Sequence, residues 1–389
     1  MLAALMLAAF TFNTAENLPV GLLDLIAAGL RVPVSAVGYL VTGYGLTVAV
    51  ASLPLAHATR AVPRRYVLAG LLAALVVSSL VAAAASAYGV LLGARLLTAL
   101  GQALFWAVMG PVAVGLFPPR VRGRVVGAVS VAGSLALVLG VPAGTWLGQR
   151  TEWQVPVASL AALGAICLVT IAALLPTSRP EEGHAARGTT PDVRRFATVL
   201  AAGLLSATGA FAAFTYVVRF LVEESHFPES AISALLMVFG LACLAGVAIT
   251  GALLDRFPRA TLTAAVAVQS AGILGLYATA GSRPAAVAFL TLMGAALGPV
   301  FMATQNEMLH CAPSRTDTAL AANSGTYNLG IAAGAALGAL TLPLTGIRTT
   351  FLIAALLTTT SCALLLAEPL IPHAPTPSRR HPNRGAVRR

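Results

Sequence analysis

The chain has 389 residues, of which 58% are hydrophobic and only 10% charged, with 36 glycines besides. A soluble protein of this size needs roughly a quarter of its residues charged to cover its surface, so an ordinary globular enzyme is excluded. The net charge of +11 comes entirely from arginine, and the arginines cluster in short gaps between apolar runs. They read as topology signals and not as a nucleic-acid surface.

Apolar runs of about 20 residues, the length that crosses a bilayer as a helix, are expected at 2–28, 35–56, 66–85, 88–116, 125–147, 155–175, 196–221, 231–254, 260–280, 285–308, 319–342 and 350–367. In hydrocarbon every backbone polar group needs an internal partner, so each run must be helical. The expected fold class is an all-α membrane protein of twelve transmembrane helices. Residues 1–10 lack a basic n-region and a small-residue cleavage pattern, so no cleaved signal is expected there. Pro, Gly, Thr and charge mark 176–195 as a cytoplasmic linker between a six-helix half at 1–175 and another at 196–368. The Pro- and Arg-rich stretch 369–389 reads as a disordered basic cytoplasmic tail suited to anionic lipid. Cys167, Cys243 and Cys362 fall in apolar runs and Cys311 in an inner loop, with no disulfide or metal pattern.

If the N-terminus is inside, 18 of the 24 arginines fall on the inner side, five fall outside, and Arg95 alone lies within a span. The positive-inside rule then places both termini in the cytoplasm, and the absence of Lys with the high Ala content suggests a GC-rich bacterial genome, so the expected location is a bacterial inner (plasma) membrane. A weak internal repeat accompanies this layout. Pro63-Arg64 follows the second span, and Pro258-Arg259 follows the eighth, 195 positions later. The fifth span has a four-spaced ridge of small residues, Ala132, Ala136, Gly140, Gly144 and Gly148. The eleventh has another, Ala322, Thr326, Gly330, Gly334 and Gly338. Such ridges let helix backbones approach closely, and two similar halves suit a transporter with its site at their interface.

The loop after the eighth span, Gly251-Ala252-Leu253-Leu254-Asp255-Arg256-Phe257-Pro258-Arg259, resembles the G-x-L-a-D-R-x-x-R signature of the major facilitator superfamily. Gly38-Tyr39, Thr42-Gly43-Tyr44-Gly45 and Thr59 to Arg65, with Asn323, Asn328 and Gly330, resemble its drug–proton antiporter branch. Within that branch the chain is most similar to bacterial chloramphenicol-resistance and sugar-efflux transporters. The N-terminal copy of the loop lacks the aspartate, and His57 or Thr59 lies near its place. The resemblance implies that Arg60, Arg64, Asp255, Arg256 and Arg259 form inner-loop contacts holding one access state; topology signalling alone also explains the arginines. Gly133, Gly140, Val141-Pro142-Ala143-Gly144 and Gly148 resemble the antiporter signature of the fifth helix, with Val-Pro in place of Gly-Pro, which implies export. Physically, Pro142 invites a kink, and Gly140 and Gly144 allow tight packing against the opposite half.

Glu16 is the sharpest candidate for chemistry, near mid-membrane, with Asn13 one turn before and Asn17 beside it. An ionised group at a helix centre costs about 2.5–3.5 kcal/mol to insert, so such residues face a cavity or a partner. A carboxyl held there can exchange protons, as proton-coupled export requires; the alternatives are a neutral structural Glu or a later start of the helix. Arg95 resembles the family's fourth-helix arginine, with Gly101 six residues on and Ala99 at the usual glycine place. It is read as a charge partner of Glu16, or as snorkelling. Gln102 lies two turns on. The substrate cavity is assigned Asn13, Asn17, Gln102, Asn323 and Asn328, the last two either facing the cavity or bonding between helices.

Asp24 reads as interfacial, and Glu307, beside Gln305 and Asn306, as a gate or loop contact in preference to a proton carrier. Phe105, Trp106, Phe211, Phe214 and Tyr216 suit an apolar pocket, although packing explains each one. No nucleotide-binding loop and no catalytic constellation is present, so neither direct ATP drive nor an enzyme is expected. The expected partners are a small-molecule substrate, protons and the lipid bilayer, with no nucleic acid, cofactor or metal, for a monomer. The leading reading is a proton-coupled exporter of small amphipathic compounds, drugs or chloramphenicol-like antibiotics first. The alternative is sugar or metabolite efflux; a receptor that kept the fold and a membrane enzyme rank lower.

Overall fold

The computed structural model describes residues 1–59, 61–116, 122–176, 190–254, 256–313 and 316–368. Among the described residues there are fifteen α-helices and no strands. Eleven helices are long and apolar enough to cross a membrane. The first predicted span is not among them. It is divided into α1 (Leu2–Gly21) and α2 (Leu23–Leu30), and Asn13, Glu16 and Asn17 make α1 too polar to qualify by composition alone. The seventh predicted span is divided as well, into α9 (Val193–Phe214) and α10 (Val217–Glu223).

The remaining helices follow in chain order: α3 (Val34–Ala58), α4 (Arg64–Ala83), α5 (Tyr88–Gly115), α6 (Arg122–Leu135), α7 (Val141–Arg150) and α8 (Gln154–Leu174). After α10 come α11 (Ile232–Leu254), α12 (Pro258–Ala278), α13 (Arg283–Cys311), α14 (Thr316–Thr345) and α15 (Ile347–Ala367). Cys311 is therefore the buried last residue of a helix and not part of a loop. Most of the expected linker, 177–189, and the expected tail, 369–389, lie outside the described residues. Thr190 and Asp192 return to the helices by donating backbone N–H groups to the carbonyls of His310 and Cys311. The Asp192 side chain then caps α9 by accepting from the N–H groups of Arg194 and Arg195.

The fifth predicted span contains a wide π turn at Ala136–Gly140 between α6 and α7. Pro142 has no N–H to offer the carbonyl one turn before it, and a π turn is one way a helix absorbs that loss. The glycine ridge that follows does not face the opposite half, as the sequence reading expects; it faces α1. A Cβ at Gly144 would lie 2.5 Å from Leu18, and one at Gly148 2.6 Å from Leu22, while one at Gly140 would overlap Thr14. The ridge of α14 packs in the same manner on α9, where a Cβ at Gly330 would lie 2.6 Å from Ala207 and one at Gly334 would meet the Thr208 carbonyl. The π turn itself makes the approach to α11, where Gly240 lies against the backbone of Leu137 and Val138. A side chain at Gly240 would have no room.

Candidate functional site

On α1, Met6, Leu7, Phe10, Asn13, Glu16 and Asn17 form a half-buried face, whereas 18–23 are fully buried. On α9 the open face runs through Leu204, Leu205, Thr208 and Phe211 and stops where 212–218 become buried. Beyond these faces the stretches before and after 177–189 are tied together. Arg219 of α10 pairs with Asp24 of α2 at 3.6 Å and with Glu223 at 2.6 Å, so Asp24 lies exposed in an ion pair. Gln149 of α7 donates to the Glu229 carbonyl at 2.9 Å and accepts from Ser233 at 3.4 Å.

Four of the predicted residues gather near the end of the half-buried face of α1. Gln102 Nε2 donates to Glu16 Oε2 at 2.8 Å and lies 3.5 Å from Asn13 Oδ1. Asn13 Nδ2 reaches across to the Gly133 carbonyl of α6 at 3.1 Å, and Asn17 Nδ2 turns back to the Asn13 carbonyl at 2.9 Å. Trp106 leans on the same Gly133 and remains 40% exposed, so an indole face flanks the amide cluster.

Arg95 is brought to Glu16, but not as the expected partner of its carboxylate. Its Nη1 donates to the Ala15 carbonyl and its Nη2 to the Glu16 carbonyl at 3.0 Å. The reason lies at Pro19, inside α1. A proline has no N–H for the carbonyl four residues back, here that of Ala15, and the guanidinium supplies the missing donor. Among the described residues no ion pair involves Glu16. Arg95 is seated in turn on the ring of Tyr44 in α3, 4.5 Å from its centroid, a cation–π contact the sequence reading did not identify.

The other predicted residues are placed elsewhere. Asn323 is 2% exposed and donates to Thr304 Oγ1 of α13 at 3.3 Å, which realises the helix-bonding alternative. Asn328 is half-buried and donates to the Ser324 carbonyl at 2.9 Å. Near it, Tyr327 forms an aromatic group with Phe301 and Phe211, at ring separations of 4.7 and 6.3 Å. Phe105, Phe214 and Tyr216 are buried in packing. Of the loop residues, Arg60 and Asp255 lie outside the described residues. Arg64 opens α4, Arg256 lies over the Phe257 ring, and Arg259 lines a cleft of about 400 Å³ with Arg195 and Glu307.

Glu307 is in contact, as a gate residue would be, yet within an ion-pair cluster that sequence reading missed. Arg195 Nε binds Glu307 at 3.1 Å while its Nη1 binds Glu368, so the start of α9 is tied to the ends of α13 and α15. Arg195 stands among other inner-side arginines in the sequence, and only its 4% exposure distinguishes it.

The family model described as Major Facilitator Superfamily matches residues 5–216 and again 198–388. A "Probable sugar efflux transporter" of Mannheimia succiniciproducens is 31% identical over 333 residues, covering 85% of this chain and 84% of the relative. A chloramphenicol efflux pump of Mycobacterium tuberculosis is 33% identical over 354 residues, covering 87% and 85%. Among solved structures, a bacterial homologue of the human lysosomal transporter Spinster, in an inward-facing and occupied conformation, superposes with a TM-score of 0.72. Its sequence identity is 14%, with 95% of this chain and 96% of that chain covered.

Proposed function

The chain belongs to the Major Facilitator Superfamily, a family of multi-pass membrane transporters, and from that premise we propose that it is a proton-coupled exporter of small amphipathic compounds, drug-like or antibiotic molecules first. Transport proceeds by alternating access of two six-helix halves.

One observation carries the reading. Glu16 is half-buried on the open face of α1, accepts from Gln102, and has no cation on its carboxylate. An intramembrane carboxylate with no direct ion pair is costly while ionised, even with Arg95 near its backbone, and it is relieved by a proton or by a substrate that donates to it. Proton and substrate thus compete for one group, which couples inward proton flow to outward substrate flow. Trp106 and the Phe211–Tyr327–Phe301 group offer flat apolar faces to the other end of an amphipathic molecule. Sugar efflux is the second reading, because the Asn13, Asn17 and Gln102 amides also suit hydroxyl groups, and similar proteins of several bacteria carry that name.

The test is substrate-induced collapse of the proton gradient in energised inverted vesicles, with chloramphenicol-like drugs beside small sugars. A response to one class, abolished in Glu16→Gln with insertion intact, is the expected result. Normal coupling in Glu16→Gln removes the carboxylate from the mechanism.

A further inference from the structure

In the cluster at the start of α9, one guanidinium stands between two carboxylates. Arg195 pairs with Glu307 and Glu368, so the trio holds a surplus of one negative charge, and among the described residues it makes only these two ion pairs. Arg195 Nη2 and Glu307 Oε1 are both buried without a hydrogen-bond partner. Arg195 is 4% and Glu307 3% exposed, a depth at which an uncompensated charge is costly and polar atoms normally find partners. Nη2 can only donate, and the oxygen of an ionised carboxylate can only accept. A ligand that satisfies both must offer an acceptor oxygen together with a donor that carries positive charge.

Both side chains line the cleft of about 400 Å³, which also takes in Pro258 and Arg259 at the start of α12 and His310 near the end of α13. Its volume is that of a small-molecule site, and the exposed Arg259 brings a second guanidinium to its rim. Phe257, next to Pro258, marks its level in the bundle. That ring is 51% exposed and carries Arg256 at 5.2 Å. An exposed aromatic ring beside a cation at the end of a span is the pattern of the membrane–water boundary, where lipid headgroups lie. We propose that the cleft holds the headgroup of an aminophospholipid of the phosphatidylethanolamine type, its ammonium donating to Glu307 and its phosphate accepting from Arg195 and Arg259. The ammonium offsets the surplus carboxylate, and guanidinium groups are favoured partners of phosphate oxygens. A choline headgroup fits only the phosphate half, because its nitrogen has no N–H to donate. A water molecule can bond to both atoms but brings no charge. Seated there, the lipid bridges the start of α12 to the cluster that ties α9 to α13 and α15.

The test is lipid binding by the full chain in detergent, with phosphatidylethanolamine, its N-methylated forms and phosphatidylcholine compared at equal concentration. Phosphatidylethanolamine should bind at least about tenfold more tightly than phosphatidylcholine, the worth of one hydrogen bond between charged groups. The methylated forms should fall between them in order of the N–H groups they keep. Glu307→Gln should abolish the preference. Arg259→Gln, at the rim and outside the ion-pair cluster, should weaken both lipids alike, which keeps the test open if Glu307→Gln does not fold. Equal binding of the two lipids by the parent protein, or a preference that persists in Glu307→Gln, overturns the proposal. Unchanged binding of both lipids in Arg259→Gln removes the phosphate from the cleft and overturns it as well. Free phosphoethanolamine that binds as tightly as the lipid assigns the cleft to a soluble zwitterion and overturns the lipid as its occupant.

Discussion

Counting 195 residues on from Asn13, Glu16, Arg95 and Gln102, the offset that carries Pro63 to Pro258, leads to Thr208, Phe211, Leu290 and Leu297. Thr208 and Phe211 lie on the open face of α9 just as Asn13 and Glu16 lie on that of α1, and Leu290 and Leu297 are buried where Arg95 and Gln102 stand. The Arg195 cluster reverses the pattern: 195 residues before Glu307 and Glu368 stand Val112 and Ala173. The two stretches share what packing requires, namely a small-residue ridge against a central helix that breaks near one end. They do not share ionisable groups. Each intramembrane charge must be compensated by its own partner, so a charge set useful once is not repeated for symmetry.

That contrast can be broken at several points, beginning with the largest effect. Arg195→Leu leaves Glu307 and Glu368 facing each other without a cation, and removing one partner of a buried pair costs about 3–5 kcal/mol. Arg95→Leu strands the Ala15 carbonyl and takes a second donor from the Glu16 carbonyl, a loss of about 1–3 kcal/mol, so thermal unfolding in detergent should show the larger drop for Arg195→Leu. An equal drop would mean that the cluster is no more structural than the Arg95 clamp. A smaller effect separates the ridges. Gly334→Ala drives a methyl into the Thr208 carbonyl, which is backbone and cannot turn aside, whereas Gly144→Ala meets the end of the Leu18 side chain. Overpacking of about 1–3 kcal/mol is expected for Gly334→Ala and a lesser loss for Gly144→Ala; the reverse order would show that the α1–α7 contact is the tighter one. The smallest change is expected for Arg219→Ala, an exposed pair worth less than about 1 kcal/mol. A fall in melting temperature matching that of Arg195→Leu would make the Asp24–Arg219 tie a main support of the fold.

Much of this architecture was legible in the residues themselves. Helices across most of the chain follow from runs of apolar side chains, because backbone groups in hydrocarbon can be paired only within a helix. Glu16, Asn13, Asn17 and Gln102 stood out because polar groups are conspicuous in such runs, and the structure gathers all four. The same polarity keeps α1 from counting as a spanning helix by composition. Hydropathy is a sum over neighbours in sequence, and it reports which segments enter the membrane.

Partners are decided across space. That Arg95 serves the carbonyl freed by Pro19, 80 positions distant, and not the carboxylate one residue further, depends on how α5 lies against α1. The seat of Arg95 on Tyr44, the turning of the glycine ridge towards α1, and the singling out of Arg195 from its fellow arginines have the same origin. Each depends on the rotation of one helix about its axis against another, and a shift of one residue along a helix turns a side chain through about 100°, the angle implied by 3.6 residues per turn. The sequence by itself determined which segments are helices, the family to which the chain belongs and where its isolated carboxylate lies. Only the tertiary structure decided which groups that carboxylate meets, because packing sets those rotations and composition does not.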